Sequence, residues 1–148
     1  MKNHMYLKFD AISCNESLAR MTVAAFMMNM NPTLDEVQDV KTAVSEAVTN
    51  AIVHGYPVGQ MNETKNEIEM NCVQEETCIR ISIVDKGVGI EDIEEARRPF
   101  FTTKPEQERS GMGFAFMETF MDEVEVESTP GIGTKVVLTK YIERDGER

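Results

Sequence analysis

Residues 45–55 read SEAVTNAIVHG, and within them Glu46, Asn50 and His54 recur every four positions. In an α-helix that spacing puts all three on one face. Val44, Ala47, Val48 and Ala51 supply an apolar stripe on the neighbouring face. The stretch is therefore a core-facing helix that carries a carboxylate and an amide in register along its edge. Working outward, Pro32 precedes Thr33, and Glu36 follows three residues later, the pattern of a capping box. The helix is expected over 34–54, ended by Gly55 with Pro57 just beyond.

The flanking segments alternate rather than spiral. MYLKF (5–9), NEIEMNCV (66–73), TCIRISIVD (77–85), DEVEVEST (122–129) and TKVVLTKYI (134–142) read as strands. The short Gln74-Glu75-Glu76 connection and the PGIG turn (130–133) make two antiparallel hairpins of the last four. SCNESLARMTVAAFMMNMN (13–31) is expected as one helix stopped by Pro32, with a short helix near 91–97 and another over 112–121. The irregular segment 86–111 has the length of a functional loop or lid.

The totals bound the class. With 148 residues, 41% of them apolar and 28% charged, one soluble domain with a real core is expected. No apolar run approaches the roughly 20 residues of a membrane span. The start MKNHMYLKFD lacks the apolar region of a signal peptide, so a cytoplasmic location is expected and no membrane partner. Twenty-six acidic against 15 basic residues, a net of −11, disfavour direct nucleic-acid binding. Cys14, Cys72 and Cys78 have no C-x-x-C spacing, and His4 and His54 are too far apart for a metal cluster held by side chains alone.

Three glycine sites follow the Glu46/Asn50 helix. In DKGVGI (85–90), a strand delivers Asp85 beside bare backbone, and a buried carboxylate there is able to accept a hydrogen bond from an exocyclic amine such as that of adenine. SGMGF (110–114) opens a helix, whose N-terminal N–H groups suit phosphate oxygens. TPGIGTKV (129–136) leads into the last strand. Each also fits an ordinary glycine loop, and Glu46 and Asn50 equally fit a solvated helix edge. As chemistry, the Asn50 oxygen is a neutral hard ligand for Mg²⁺ already bound to phosphate, and Glu46 can take a proton from an attacking hydroxyl or water. His54 reads as a polar residue at the helix end.

The order of these four boxes, E-x-x-x-N-A, D-x-G-x-G, G-x-G at a helix start and G-x-G-T before a strand, resembles the GHKL ATP-binding superfamily over about residues 40–140. The resemblance implies the Bergerat fold, a two-layer α/β (α+β) sandwich whose mixed, mostly antiparallel sheet is covered on one face by helices, with an ATP lid. Within that superfamily, AVSEAVTNAIVHGYP (43–57) and VDKGVGIEDIEEARRPFFTTKPEQERSGMGFAFMETFMDEVEVESTPGIGTKV (84–136) look like the stand-alone bacterial anti-sigma factor and serine-protein kinase family, closely so for the sporulation sigma-F branch.

That likeness implies a single domain, 1–148, with a lid over 97–111 and a dimer contact within 1–32. It implies ATP, ADP and Mg²⁺ as ligands, a sigma-F-like factor as client, and a small anti-anti-sigma protein as serine substrate. Carried onto this sequence, Glu46 is the base and Asn50 the Mg²⁺ ligand. Asp85, Gly87, Gly89 and Ile90 surround adenine, with Thr134 backing the carboxylate. Gly111, Met112 and Gly113 form the phosphate cradle, with Ser110 and Phe114 as flanking nucleotide-binding residues, and Thr102, Thr103, Lys104 and Arg109 are lid residues near the phosphates. Lys104 and Arg109 are equal candidates for the phosphate-contacting cation. Phe114 stands where relatives often have Leu. The alternative implied function is a GHKL ATPase that serves as a nucleotide-gated binding module for another protein client.

Overall fold

A computed structural model of the chain describes residues 2–57, 66–98 and 113–142. In it, five strands form one sheet: β1 (Asn3–Asp10), β2 (Glu67–Gln74), β3 (Cys78–Asp85), β4 (Glu123–Thr129) and β5 (Gly133–Tyr141). Their spatial order is β1-β2-β3-β5-β4. Where a mixed, mostly antiparallel sheet is expected, the described strands are antiparallel at all four pairings. The described α-helices are α1 (Asn15–Phe26), α2 (Leu34–Asn50), α3 (Ile93–Ala96) and α4 (Gly113–Phe120).

The core lies between helices and sheet. On α2, Val40, Ala43, Val44, Ala47 and Val48 are buried, a stripe at i, i+3, i+4, i+7 and i+8. On the strands, Ile68, Met70 and Cys72 of β2 and Ile79, Ile81 and Ile83 of β3 meet it from below. The alternation that predicts each strand is thus the alternation of burial, because successive side chains point to opposite sheet faces.

The capping box at the start of α2 forms as expected. Glu36 N–H donates to Thr33 Oγ1 at 3.1 Å, and Thr33 N–H donates to the Glu36 carboxylate at 2.8 Å. The helix expected over 13–31 is shorter. It ends at Phe26, continues as a 3₁₀ turn over Met27–Met30, and stops at Asn31, whose φ of 59° is left-handed. Pro32 explains the stop, since it bars the residue before it from the α region. The helix expected over 34–54 also changes character. It is α-helical to Asn50 and then widens into a π turn over Ala51–Gly55.

Two contacts set the position of α4. The Lys140 ammonium donates to the Asp39 carboxylate at 3.1 Å and to the Phe120 carbonyl at 2.7 Å, tying β5 to α2 and to the end of α4. Arg97, just after α3, donates through Nε to Glu118 of α4 at 2.7 Å and through a terminal nitrogen to the Val124 carbonyl at 3.2 Å.

The capping box gives a direct stability test. Thr33→Ala removes one acceptor from the first turn of α2 and is expected to cost about 1 kcal/mol in urea unfolding, whereas Thr33→Ser retains most of it. Equal stability of all three proteins would show that the cap contributes nothing.

Candidate functional site

A cavity of about 430 Å³ opens where the end of α2 crosses the ends of β3 and β5. Its wall on the helix side is Ala47, Asn50, Ala51 and His54. The π turn explains why His54 belongs there. An extra residue in the turn re-aims the side chains that follow it, and such turns gather at functional sites. Glu95 and Ala96 of α3 form the opposite rim.

The floor is Asp85, the last residue of β3, paired across the sheet with Thr134 of β5 and Ile68 of β2. The residue is only 6% exposed. One oxygen accepts the Gly87 N–H at 3.0 Å. Burial pushes the Asp85 carboxyl up to about 6, against the opposing pull of the Gly87 and Thr134 backbone N–H groups.

The approach of helix to loop demands glycine twice. A Cβ on Gly55 would lie 2.9 Å from the Asp85 carboxyl carbon, and one on Gly87 would enter the Gly55 carbonyl. The Val88 N–H donates to that same carbonyl at 2.9 Å. The loop then continues through Gly89, with φ of 78°, where a Cβ would strike the Thr129 carbonyl. On its far side the loop is laced to the turn between β4 and β5. The Gly131 N–H donates to the Val88 carbonyl at 2.8 Å, and the Ile90 N–H to Ser128 Oγ at 2.7 Å. Ser128 Oγ and Thr134 Oγ1 are 2.8 Å apart.

Asn50, Asp85, Gly89, Ile90, Phe114 and Thr134 all line this one cavity. Gly87 is buried just after its floor. Gly113 opens α4 against the Asn50 side chain, where a Cβ would come within 2.7 Å of Nδ2. Glu46 is half-buried one turn before Asn50 and is not part of the cavity wall. Thr102, Thr103, Lys104, Arg109, Ser110, Gly111 and Met112, with most of the expected lid, lie outside the described residues.

Sequence reasoning missed three contributors: His54 as a wall residue, Ser128, and Tyr56, whose hydroxyl meets the loop after Asp85. Ser128 left a signal, since it continues the half-buried alternation of Val124 and Val126 with a polar side chain.

Comparison with known proteins adds to this geometry. The histidine kinase-like ATPase domain family matches residues 14–140. The anti-sigma F factor of Geobacillus sp. (strain WCH70) is 56% identical over 96% of this chain and 94% of its own. That of Bacillus subtilis (strain 168) is 51% identical over 97% and 96%. The chain belongs to the histidine kinase-like ATPase family and, within it, groups with the anti-sigma F factors. Among solved structures, the RsbU and RsbW domains of a Mycobacterium tuberculosis protein align with a TM-score of 0.69 at 19% identity, over 96% of this chain and 33% of that one. The catalytic domain of the histidine kinase ThkA aligns at 0.52 and 16% identity, over 93% and 97%. At such identities these two speak for the fold alone, the α/β sandwich of GHKL domains.

The residues present fit a nucleotide. A buried carboxylate faces a cavity with an apolar lining from Ile83, Val136 and Phe114, as a purine with an exocyclic amine requires. Helix α4 starts beside a neutral amide oxygen suited to a hard cation.

The buried carboxyl predicts a stability effect of definite sign. A folded-state value raised from 3.8 to about 6 gives stability that is fully present below pH 3.8 and lost as pH rises through 6. The shift corresponds to at most about 3 kcal/mol. Without nucleotide, Asp85→Asn is therefore expected to melt above the wild type at pH 7.5, with the difference shrinking towards pH 4. A variant that melts lower at pH 7.5 would contradict the cost assigned to the buried charge.

Proposed function

We propose that this chain is a cytoplasmic anti-sigma factor that binds a sigma-F-like factor and, as an ATP- and Mg²⁺-dependent serine-protein kinase, phosphorylates a small anti-anti-sigma protein. The observation that carries the reading is the pairing of Asp85 on the floor of the cavity with Asn50 on its wall, in a chain 51–56% identical from end to end to anti-sigma F factors. Among the described residues no helix is long and apolar enough to cross a membrane.

In this reading Asp85 accepts the adenine amine, and Thr134, through its bond to Ser128, steadies the group behind it. The Asn50 carbonyl oxygen would hold Mg²⁺, which when bound would supply charge neutralisation for phosphoryl transfer. Glu46 takes the proton from the substrate serine hydroxyl as its oxygen bonds to the γ-phosphorus. The bond from that phosphorus to the bridging oxygen breaks, and ADP leaves. Gly113 and the first turn of α4 offer backbone N–H groups to the phosphates, continuing the cradle expected over 110–114. Residues 97–111 serve as the lid, and Lys104 or Arg109 supplies its cation.

A homodimer through the first 32 residues is supported by surface composition. Of the eight large apolar side chains exposed among the described residues, five (Tyr6, Ile12, Leu18, Met21 and Met28) fall there. Strand β1 is also a free edge of the sheet. The second reading is the nucleotide-gated binding module for another client, with water in place of serine. The half-buried Glu46 fits that reading too, because the same carboxylate can activate water.

Incubation with Mg²⁺ and γ-labelled ATP, with and without a candidate antagonist protein, separates the two. The kinase reading expects label on a serine of the added protein, reduced 10²–10⁴-fold in Glu46→Gln while Mg²⁺·ADP binding persists. Label released only as free phosphate, whatever protein is added, favours the binding module.

A further inference from the structure

The three backbone N–H groups that follow Asp85 each meet a different acceptor. That of Lys86 goes to the Tyr56 hydroxyl at 2.7 Å. That of Gly87 goes to the Asp85 carboxylate at 3.0 Å, and that of Val88 to the Gly55 carbonyl at 2.9 Å. The Tyr56 hydroxyl in turn donates to the Glu67 carbonyl at 2.7 Å, at the start of β2. A single hydroxyl thus joins the segment after α2, the first residue of β2 and the loop that carries the floor of the cavity. The ring is 8% exposed, and burial raises the phenol above its usual range, so the group stays a neutral donor and acceptor.

We propose that Tyr56 is a positioning residue for base recognition: by occupying the Lys86 N–H, its hydroxyl leaves the Asp85 carboxylate to the Gly87 and Thr134 N–H groups on the floor of the cavity, and so sets the preference for a 6-amino over a 6-oxo purine. The proposal rests on the reading of Asp85 as the group that accepts the adenine amine. The physical reason is competition. An N–H left without an acceptor in a buried setting costs on the order of 1–3 kcal/mol. Successive N–H groups in a turn form a concavity that attracts an anion. Without the phenol, the freed Lys86 N–H competes with Gly87 for the carboxylate of the preceding residue, Asp85, and draws it off the cavity. The effect on two bases is opposite. The amine of adenine loses a charged acceptor, and the carbonyl of hypoxanthine loses a repelling one. The ratio of the two affinities therefore falls further than either affinity alone.

Gly55 separates this role from mere support. Its carbonyl holds Val88 independently of Tyr56, so Tyr56→Phe keeps the helix-to-loop contact and the ring while deleting one oxygen. The test is titration of Mg²⁺·ADP and Mg²⁺·IDP into the wild type, Tyr56→Phe and Asp85→Asn. The expected result is a wild type that prefers ADP, and a Tyr56→Phe protein whose ADP-to-IDP preference is reduced about fivefold to tenfold. A Tyr56→Phe protein of lower melting temperature but unchanged preference would overturn the proposal and leave Asp85 recognition standing. A wild type that binds both nucleotides equally would overturn the Asp85 reading itself, and the role of Tyr56 with it. Should Tyr56→Phe not fold, 4-aminophenylalanine at position 56 keeps the ring and a donor but offers only a weak acceptor to the Lys86 N–H, and the same loss or retention of preference decides.

Discussion

The site depends on one close backbone contact, that of Gly55 with Gly87. No other residue type fits at Gly87, where a Cβ would enter the Gly55 carbonyl, and a Cβ on Gly55 would press to 2.9 Å from the Asp85 carboxyl. The contact brings the end of a long, core-facing helix down onto the end of a sheet strand. It thereby sets Asn50 and His54 on the wall above a carboxylate that the strand delivers from below. The π turn between Asn50 and Gly55 is the adjustment that lets one chain segment satisfy both demands. Up to Asn50 the α period keeps the apolar stripe on the core, and beyond it the wider turn frees the helix to end against the loop.

A buried carboxylate is an expensive way to end a strand. A neutral side chain at position 85 would avoid the desolvation that raises its pKa, and two backbone donors only partly offset that cost. Such local costs are characteristic of functional sites, where a group must be ready to meet a partner absent from the free protein. The surroundings of Asp85 fit that interpretation. The groups behind it, from Gly87, Thr134, Ser128 and Tyr56, are linked to one another or to the sheet, while its front opens on an apolar-lined cavity. The likeness to anti-sigma F factors along nearly the whole chain then gives the cavity its proposed nucleotide and client.

Much of this was legible before any coordinates. Strand alternation is dictated by which side chains face the helices, so Ile79, Ile81 and Ile83 declare both the strand and its inner face. The Thr33 cap and the Gly55 stop are local chemistry and were readable as such. The i, i+4 register of Glu46 and Asn50 was readable too, although only Asn50 reaches the cavity wall. What escaped is set by tertiary contact. Strand β3 pairs with β5 rather than β4, which no local pattern encodes. The π turn carries no glycine or proline within its first four residues to mark it. Tyr56 lies between Gly55 and Pro57 with no local pattern to mark its role, because its partners Lys86 and Glu67 are distant in sequence. The expected lid chemistry at Thr102, Thr103, Lys104 and Arg109 falls outside the described residues.

The central claim is that the cavity between α2 and the loop after β3 is the nucleotide site. Titration of Mg²⁺·ADP into ¹⁵N-labelled protein, followed through the Gly87, Gly89 and Gly113 backbone amides and the Asn50 side-chain amide, tests it most directly. The account predicts saturable one-to-one binding with these signals among the most displaced. Binding that leaves all four in place while moving signals elsewhere would contradict it.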